Sequence, residues 1–297
     1  WPPAYNRPMD TFHASMPPLR DFVTANRRLV VITGAGVSAS SGIPTYRDRE
    51  GVWRHSTPIT HQEFVSDAAR RRRYWARSLL GWPAVRDARP NSAHLALARL
   101  EQLGHVDLLI TQNVDRLHQR AGSMAVIDLH GRVDQVRCLD CTGVVARELV
   151  QQQLLRDNPH QAGLPVQTRP DGDADVDDRW VESITVPGCD LRGGTPIPDV
   201  VFFGGTVPRE RVQACKDAVA AADGVLAVGS SLQVFSGFRF CRLARELGKP
   251  IAIINPGRTR ADPLADIKLQ AECGPLLEAL AAEASSMPLP SAAGSPS

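Results

Sequence analysis

A glycine-rich turn directly after a short apolar run constrains this chain more than any other stretch. Residues 29–32 are Leu-Val-Val-Ile, and this β-branched run predicts a buried parallel strand. Gly34 and Gly36 follow it, and glycine permits a tight turn and leaves room for a ligand phosphate near the backbone. We expect residues 38–41 to open a helix whose free N–H groups favour an anion. The stretch therefore predicts a phosphate-binding unit, with an ordinary glycine-rich turn as the alternative.

The spacing of the glycines narrows what such a turn could bind. A dinucleotide fold that holds the pyrophosphate in the usual way has a third glycine three residues after the second. Ala39 stands at that point here, and the next glycine is Gly42, with Pro44 close behind. We therefore expect the ligand to be held by the turn and by an irregular loop that carries Tyr46 and Arg47. This arrangement argues against a dehydrogenase that transfers hydride.

Strands and helices alternate along most of the chain. Besides the first strand, short apolar runs predict strands at 106–110, 126–129, 200–203, 225–228 and 251–254. Helical patterns lie at 19–25, 61–80, 92–103, 209–222 and 238–247. This alternation predicts an α/β, Rossmann-like parallel sheet with helices on both faces. Because polar residues follow the strands at Gln112, Gly229 and Asn255, we expect these strand ends to meet Gly34 at one edge of the sheet.

Residues 132–198 interrupt this alternation and predict an inserted module with cysteines and a helix near 146–156. We predict a discontinuous main domain, a small helical and cysteine-containing module and two disordered tails. The main domain comprises 18–48, 87–131 and 197–284, the module 49–86 and 132–196, and the tails 1–17 and 285–297.

Composition excludes some partners. The net charge of +2 over 297 residues favours neither nucleic acid nor a membrane surface, and the arginines at 70–73 are typical of a solvated helix face. No apolar stretch approaches the ~20 residues that span a bilayer. Six cysteines in a chain of this length do not make a disulfide scaffold, which fits a reducing cytoplasm. Since the chain does not begin with methionine, a trimmed leader and a mitochondrial matrix location stay open.

The string from 29 to 48 resembles the first NAD-binding motif of the sirtuins, the NAD-dependent protein deacylases. The resemblance extends to about residue 280 and is closest to the class II sirtuins, which share Tyr-Trp-Ala-Arg at 74–77 and Pro-Asp-Gly-Asp at 170–173. It implies that NAD is bound by Gly34, Ala35, Gly36, Ser38, Thr45, Tyr46 and Arg47. Thr45 stands where the family usually has an acid.

Further strings extend the resemblance to the rest of the NAD site. Gln112, Asn113 and Asp115 are similar to the Thr-Gln-Asn-x-Asp motif that lines the nicotinamide and ribose pocket. The second phosphate and ribose turn, the adenosine-ribose contact and a backbone position near adenine correspond to Gly229, Ser230, Ser231, Asn255, Pro256, Gly257 and Cys273. Capping of strand ends, or a small buried thiol at Cys273, is the alternative that needs no ligand.

His130 is the first catalytic candidate, with Asn113 and Asp115 beside it. It lies in Leu-His-Gly at a predicted strand end, and histidine can take a proton near neutral pH. The triplet resembles the catalytic motif of sirtuins. The resemblance implies that the acyl-lysine oxygen attacks the NAD ribose as nicotinamide leaves, and that His130 is the base for a ribose hydroxyl. A hydrogen-bonded structural histidine is the alternative.

Two segments are candidates for substrate contacts. Val201, Phe202, Phe203 and Gly204 resemble the segment that pairs with the substrate peptide, as an edge strand with free N–H and C=O groups can. Tyr74 and Arg77 lie on one helix face, and in sirtuins that remove acidic acyl groups such a pair binds the acyl carboxylate. Surface positions beside a packed Trp75 are the alternative for this pair.

The cysteines leave the metal question open. Cys138 and Cys141 form the first half of a zinc site. The family's second half is another Cys-x-x-Cys, but Cys189 is followed three residues later by Arg192, which has no lone pair to give. Asp190 or a water could complete a weak zinc site, or the module has lost its metal.

The sequence therefore predicts an NAD-dependent protein-lysine deacylase that releases nicotinamide and O-acyl-ADP-ribose. Its partners would be acyl-lysine proteins, with no direct contact to nucleic acid or membrane. A protein mono-ADP-ribosyltransferase with the same pocket, or a non-catalytic NAD or ADP-ribose sensor, remains an alternative.

Overall fold

The computed structural model describes residues 8–54, 58–141, 143–161, 164, 166–189 and 193–285. Its strands are β1 (Leu29–Thr33), β2 (Val106–Thr111), β3 (Val126–Asp128), β4 (Gly131–Cys138), β5 (Val144–Ala146), β6 (Thr168–Arg169), β7 (Asp173–Ala174), β8 (Pro196–Val200), β9 (Gly224–Val228), β10 (Ile251–Ile254) and β11 (Ile267–Leu269). Its helices are α1 (Pro8–Ala25), α2 (Ala35–Ser38), α3 (His61–Ser66), α4 (Ala68–Asp87), α5 (Ser92–Gln102), α6 (Leu117–Arg120), α7 (Arg147–Asp157), α8 (Asp178–Ser183), α9 (Arg209–Ala221), α10 (Phe235–Glu246) and α11 (Cys273–Ala284). Short 3₁₀ turns span Ala39–Ser41, Pro159–Gln161, Pro170–Gly172 and Asp262–Leu264.

A six-stranded parallel sheet forms the centre of the described residues, in the order β11-β10-β9-β1-β2-β3. The apolar β-branched runs of β1, β9 and β10 are buried along their whole length, as strands covered on both faces must be. Thr33 of β1 pairs with Thr111 of β2 and with Val228 of β9. This register brings the loops after these three strands to one level at the carboxyl edge of the sheet.

Helices cover both faces of this sheet. Apolar side chains of α1, α5 and α11 pack with Leu29 and Val31 on one face. Those of α9 and α10 pack with Val30 and Ile32 on the other face. Alternate side chains of β1 therefore pack against two different helix layers, one on each face of the sheet. The predicted α/β, Rossmann-like fold is confirmed.

A smaller module lies beside the sheet. It contains the antiparallel strands β5-β4-β8, the two-stranded hairpin of β6 and β7, and the helices α3, α4, α7 and α8. Trp75 and Leu79 of α4 pack against Val136, Leu154 and Ile184. An inserted module is thus present, while the residue limits of the two domains stay a prediction.

The N-terminal segment differs from the prediction. Helix α1 begins at Pro8, so residues 8–17 are helical and not a disordered tail. The physical reason is an apolar face that the many prolines obscured: Met16, Leu19 and Phe22 are buried against the core of the sheet. Residues 1–7 and 286–297, which include nearly all of the predicted C-terminal tail, lie outside the described residues.

Two other elements also differ from the prediction. The helix expected over 61–80 is two helices, because Asp67 leaves the helical conformation and its carboxylate caps α4 by accepting from Ala69 and Arg70 N–H groups. The strand expected at 200–203 is instead β8, which ends at Val200 and pairs antiparallel with β4. The apolar residues expected as a strand of the parallel sheet instead contact the small module. The alternation of helices and parallel strands resumes only at α9.

Among the residues that the structure describes, no helix combines the length and the apolar character that crossing a membrane would require.

Candidate active site

One cleft at the carboxyl edge of the parallel sheet gathers most of the predicted site residues. Its volume is about 1030 Å³, at the upper end of small-molecule sites. The predicted residues that line it are Gly34, Ala35, Gly36, Thr45, Tyr46, Arg47, Tyr74, Arg77, Gln112, Asn113, His130, Val201, Phe202, Phe203, Gly204, Gly229, Ser230, Ser231, Asn255, Pro256, Gly257 and Cys273. Of the predicted NAD and catalytic residues, Ser38 and Asp115 lie behind this lining.

The glycine turn is built differently from the prediction. Helix α2 begins at Ala35 and not at Ser38, with Gly34 in an extended conformation before it. The N–H of Gly36 donates to the carbonyl oxygen of Gly229 at 2.8 Å, so it is not free for an anion. A Cβ at Gly36 would lie 2.7 Å from that oxygen. The glycine therefore lets the turns after β1 and β9 touch.

A buried hydrogen-bond network holds the loops after β1 and β2 together. The Ser38 hydroxyl donates to Asp115 Oδ2 at 2.6 Å and accepts from Asn113 Nδ2 at 3.0 Å. The other carboxylate oxygen of Asp115 accepts from the Leu117 N–H at 2.9 Å. Burial raises the pKa of Asp115. Both oxygens of Asp115 are thus engaged by protein groups, and the carboxylate fixes Asn113 through Ser38.

Two histidines extend this network under the cleft, and the sequence analysis did not identify them as part of the site. His118 Nε2 lies 3.0 Å from Thr33 Oγ1, and His94 Nε2 lies 3.4 Å from Ser38 Oγ. Burial lowers the pKa of His94 to about 4 and that of His118 well below its usual value. Both rings are neutral at pH 7. The one available signal was the helical position of His94 on the buried face of α5.

His130 has a defined tautomer. Its Nδ1 lies 2.9 Å from the carbonyl oxygen of Gln112, which can only accept, so Nδ1 carries the proton. Nε2 then presents its lone pair, and Ser236 Oγ lies 2.7 Å from it. The surrounding protein lowers the pKa of His130 to about 4 by desolvation, although part of the ring faces the cleft. At pH 7 this imidazole is neutral and accepts a proton only at Nε2.

Gly131 explains how this histidine and the predicted peptide segment come together. Gly131 has a φ of +83°, and a Cβ there would collide with the carbonyl oxygen of Asp199 on β8. Because the backbones of β4 and β8 approach closely here, the Val201 N–H can donate to the His130 carbonyl oxygen at 2.7 Å. The backbone that carries His130 is therefore joined directly to the segment that begins at Val201.

That segment is not the free edge strand that the sequence analysis expected. The Val201 N–H is bonded to His130, and the Phe203 carbonyl oxygen accepts from the His61 N–H at 2.9 Å. The Phe202 ring stacks on Phe64, with 5.0 Å between the ring centroids. His130 and the small module together thus take up part of the hydrogen-bonding capacity that an extended peptide would need.

Tyr74 and Arg77 lie together in the cleft wall, but Arg77 already has an anionic partner. Its guanidinium donates to both oxygens of Asp173 at 2.6 Å each. Tyr74 packs edge-on against Phe64 and Phe202. An acyl carboxylate in this part of the cleft would have to compete with Asp173.

Asp171 is a cleft residue that the sequence analysis noted only as part of a family string. It has a φ of +57° and accepts a hydrogen bond from the Tyr46 hydroxyl. Desolvation raises the pKa of Asp171 to about 6. This contact joins the loop after α2 to the small module, across 125 residues of sequence.

The cleft fits NAD, the group that the resemblance implies, on its charge. Arg239 lines the cleft, and its Nε is buried without a hydrogen-bond partner among the described residues. The Arg47 guanidinium lies 3.9 Å over the Trp53 ring in the loop after α2. An orphaned cationic donor and a second cation at the wall suit an anionic dinucleotide.

The three cysteines of the small module form a separate cluster. The Sγ atoms of Cys138, Cys141 and Cys189 all lie within 4.8 Å of one another. Four sulfur ligands around zinc lie about 3.8 Å apart, given a Zn–S distance of about 2.3 Å. Three thiolates here fit three corners of such a site. The fourth zinc ligand depends on Asp190 and Arg192. Both residues lie outside the described residues.

The sequence and the fold are similar to those of known proteins. The family model described as Sir2 family matches residues 34–236. A protein of Xanthomonas campestris pv. campestris (strain 8004) named NAD-dependent protein deacetylase is 53% identical over 261 residues, 88% of this chain and 89% of that protein. The Drosophila melanogaster protein named NAD-dependent protein deacylase Sirt4 is 44% identical over 266 residues, 88% of this chain and 85% of that protein.

Solved structures agree with these relatives. The structure titled Sir2-p53 peptide-NAD+ has a TM-score of 0.74 and 30% identity, and the match covers 92% of this chain and all of that one (100%). A crystal structure of a Sir2 homolog-NAD complex has a TM-score of 0.69 and 32% identity, with 91% of this chain and 93% of that chain covered.

Proposed function

This chain belongs to the Sir2 family, and on that premise we propose that its cleft holds NAD against an acyl-lysine side chain, with His130 as the general base. The chain is an NAD-dependent protein deacylase, as its relatives at about 50% identity are named. NAD supplies the electrophilic ribose carbon to which the acyl oxygen bonds. The residues of the chain bind and orient the two reactants and move the proton.

The observation that supports this proposal best is the state of His130. Its neutral ring presents one lone pair, at Nε2, and the Gln112 carbonyl oxygen keeps the other nitrogen protonated. Such a ring can take the proton of a ribose hydroxyl at pH 7. Asn113 is held by Gly34 and Ser38 at the same sheet edge, which suits a role in orienting the nucleotide. We assign the predicted NAD residues of the cleft to NAD. We assign Tyr74, Arg77 and the segment from Val201 to Gly204 to the acyl-lysine substrate.

The partners and location that we propose are broader inferences. The substrates are proteins with acylated lysines, which approach along the segment from Val201 to Gly204. We propose a cytoplasmic location, because six cysteines in a chain of this length do not make a disulfide scaffold, which fits a reducing compartment. A mitochondrial matrix location remains the alternative.

Incubation with NAD and a panel of acyl-lysine peptides tests the proposed function. Mass spectrometry should detect nicotinamide, O-acyl-ADP-ribose and the deacylated peptide, in equal amounts. A mass gain on protein without peptide deacylation would favour the ADP-ribosyltransferase. Unchanged NAD would favour the non-catalytic sensor.

The Arg77–Asp173 ion pair leads to a prediction about the acyl group. Because Asp173 neutralises Arg77, we expect acetyl-lysine to be a better substrate than succinyl-lysine. Asp173→Asn removes the competing charge and keeps the side chain's shape. We expect it to raise kcat/KM for succinyl-lysine relative to acetyl-lysine by about tenfold, since a hydrogen bond to a charged group contributes ~1.5–3 kcal/mol. Competition between the two peptides measures this ratio directly.

The matched control for this change is Asp177→Asn, which removes a carboxylate of the same small module that pairs with Arg179 at 2.9 Å outside the cleft. It should leave the ratio of the two substrates unchanged. An equal change in both variants, or none in Asp173→Asn, would mean that Arg77 does not contact the acyl group.

A further inference from the structure

Ser236 faces the catalytic histidine from across the cleft. It lies in the first turn of α10, half-buried, and lines the cleft. Its Oγ is 2.7 Å from Nε2 of His130. Since Nδ1 carries the only proton of the neutral ring, the serine hydroxyl is the donor and the Nε2 lone pair is the acceptor.

The start of α10 does not use this hydroxyl as a cap. Val234 precedes the helix, and no side-chain cap is made there. Within the described part of the chain, the Ser236 hydroxyl makes one hydrogen bond, and its partner is His130. A serine that merely began the helix would typically donate to, or accept from, the helix backbone.

The charges around His130 disfavour the protonated ring, so a hydrogen-bond acceptor at Nε2 would stabilise that state. The cations that face it are Arg211 of α9, which donates to the Leu129 carbonyl oxygen at 3.3 Å, and Arg239 of α10. Both disfavour a positive imidazolium. The Gln112 carbonyl oxygen already accepts from Nδ1–H, so only the Nε2–H would need a partner. A hydroxyl can turn and accept where it previously donated.

From this geometry we propose that Ser236 is a positioning residue for His130. It holds the neutral ring with Nε2 toward the cleft, and it accepts the Nε2–H after the ring has taken a proton. The inference rests on the proposed function, in which His130 is the base for a ribose hydroxyl.

The proton step balances in atoms and charge. The ribose O–H bond breaks and an Nε2–H bond forms, so the ring becomes positive. The electron pair left on the ribose oxygen bonds to the acyl carbon, and the π pair of the carbon–nitrogen double bond moves to the lysine nitrogen, which loses its positive charge as the ring gains one. The Ser236 hydroxyl rotates from donor to acceptor and keeps its own proton. The residue therefore acts on the step after nicotinamide has left, and not on nucleotide binding.

Ser236→Ala tests this division of steps. Exchange of labelled nicotinamide into NAD in the presence of an acetyl-lysine peptide reports the first step, and formation of deacylated peptide reports the whole reaction. We expect deacylation to fall by about 10- to 100-fold, the size typical of a lost hydrogen bond to a charged group. Nicotinamide exchange and the NAD dissociation constant from calorimetry should stay within about threefold, which is at the low end of the effect of one lost hydrogen bond. Ser236→Thr, which keeps the hydroxyl, should recover most of the rate.

A second readout needs no turnover. In ¹⁵N-histidine spectra of the protein without nucleotide at pH 7, Ser236→Ala should shift the Nε2 signal of His130, which is identified by its loss in His130→Gln. Ser66→Ala is the matched control, because Ser66 is exposed, does not line the cleft, and its hydroxyl donates to the Gln62 carbonyl oxygen. It should change neither the rates nor the spectrum.

Several results would overturn the inference. One is deacylation by Ser236→Ala at the wild-type rate. Another is an equal fall in exchange, NAD affinity and deacylation, which would mean a general packing defect. An unmoved Nε2 signal would show that the hydrogen bond is absent. A wild type that catalyses neither exchange nor deacylation would instead overturn the proposed function, and this inference with it.

Discussion

Replacement of His130 by alanine is expected to lower deacylation by about 10²- to 10⁴-fold, the usual contribution of a general base. The reason is that Nε2 of His130 offers a lone pair fixed at the cleft wall by a defined tautomer. The NAD dissociation constant should change little, because the turns at Gly34, Gly229 and Asn255 do not depend on this side chain. Initial rates with an acetyl-lysine peptide, together with calorimetry of NAD binding, provide the measurement.

His160→Ala is the control for this change, since His160 is exposed and lies outside the cleft. It should keep wild-type kinetics. Turnover by His130→Ala at more than about a tenth of the wild-type rate would fall well short of a base's contribution and contradict the assignment.

The pH dependence provides an independent check on the same residue. Desolvation lowers the pKa of His130 to about 4, so the ring stays in its basic form as the pH falls from 8 to about 5. A base is lost only when it becomes protonated, below its own pKa. We therefore expect no acidic limb from His130 above about pH 5 in kcat/KM. A limb near pH 6.5, the ordinary histidine value, would contradict this interpretation of the ring's environment.

The parts of the fold that could be predicted are those in which local sequence and burial agree. The runs of β1, β9 and β10 are apolar and rich in β-branched residues, as suits strands that are covered on both faces. Strand β11 was missed because Ile-Lys-Leu is only three residues long and half-buried. The run at 200–203 looked like a core strand, but its partners are Phe64 and β4 of the small module.

The site also contains some residues whose positions could be predicted from the sequence and others whose positions could not. The glycine turn and Gln112 follow strands directly, so their meeting at one sheet edge could be inferred from the alternation of elements. Ser236 and Asp171 could not, since their partners His130 and Tyr46 lie 106 and 125 residues away. A single serine at a helix start looks like an ordinary helix residue, and an aspartate in a turn looks like an ordinary turn residue. The contact of Ser236 depends on the packing of α10 beside the turn between β3 and β4, and that of Asp171 on the packing of the small module against the loop after α2.

The cysteine cluster leads to the second prediction with a large effect. Protein purified without chelator is expected to hold about one zinc per chain, and Cys138→Ser is expected to hold almost none. The three Sγ atoms are already within bonding geometry of a common ion, so the metal would join β4 to the segment at Cys189. Structural zinc contributes to folding directly, and we expect Cys138→Ser to melt about 10 °C lower. Elemental analysis and thermal unfolding measure the two effects.

Cys215→Ser is the control that separates metal loss from simple destabilisation. Cys215 is fully buried against the sheet and belongs to a different core, so its replacement should lower the melting temperature and leave the zinc content unchanged. Arg192→Cys tests the same site in the opposite direction, because it restores a second Cys-x-x-Cys spacing and should tighten zinc binding. If wild-type protein contains no zinc near one equivalent, the three thiols are simply packed together, and the module is held by its strands and its apolar core without a metal.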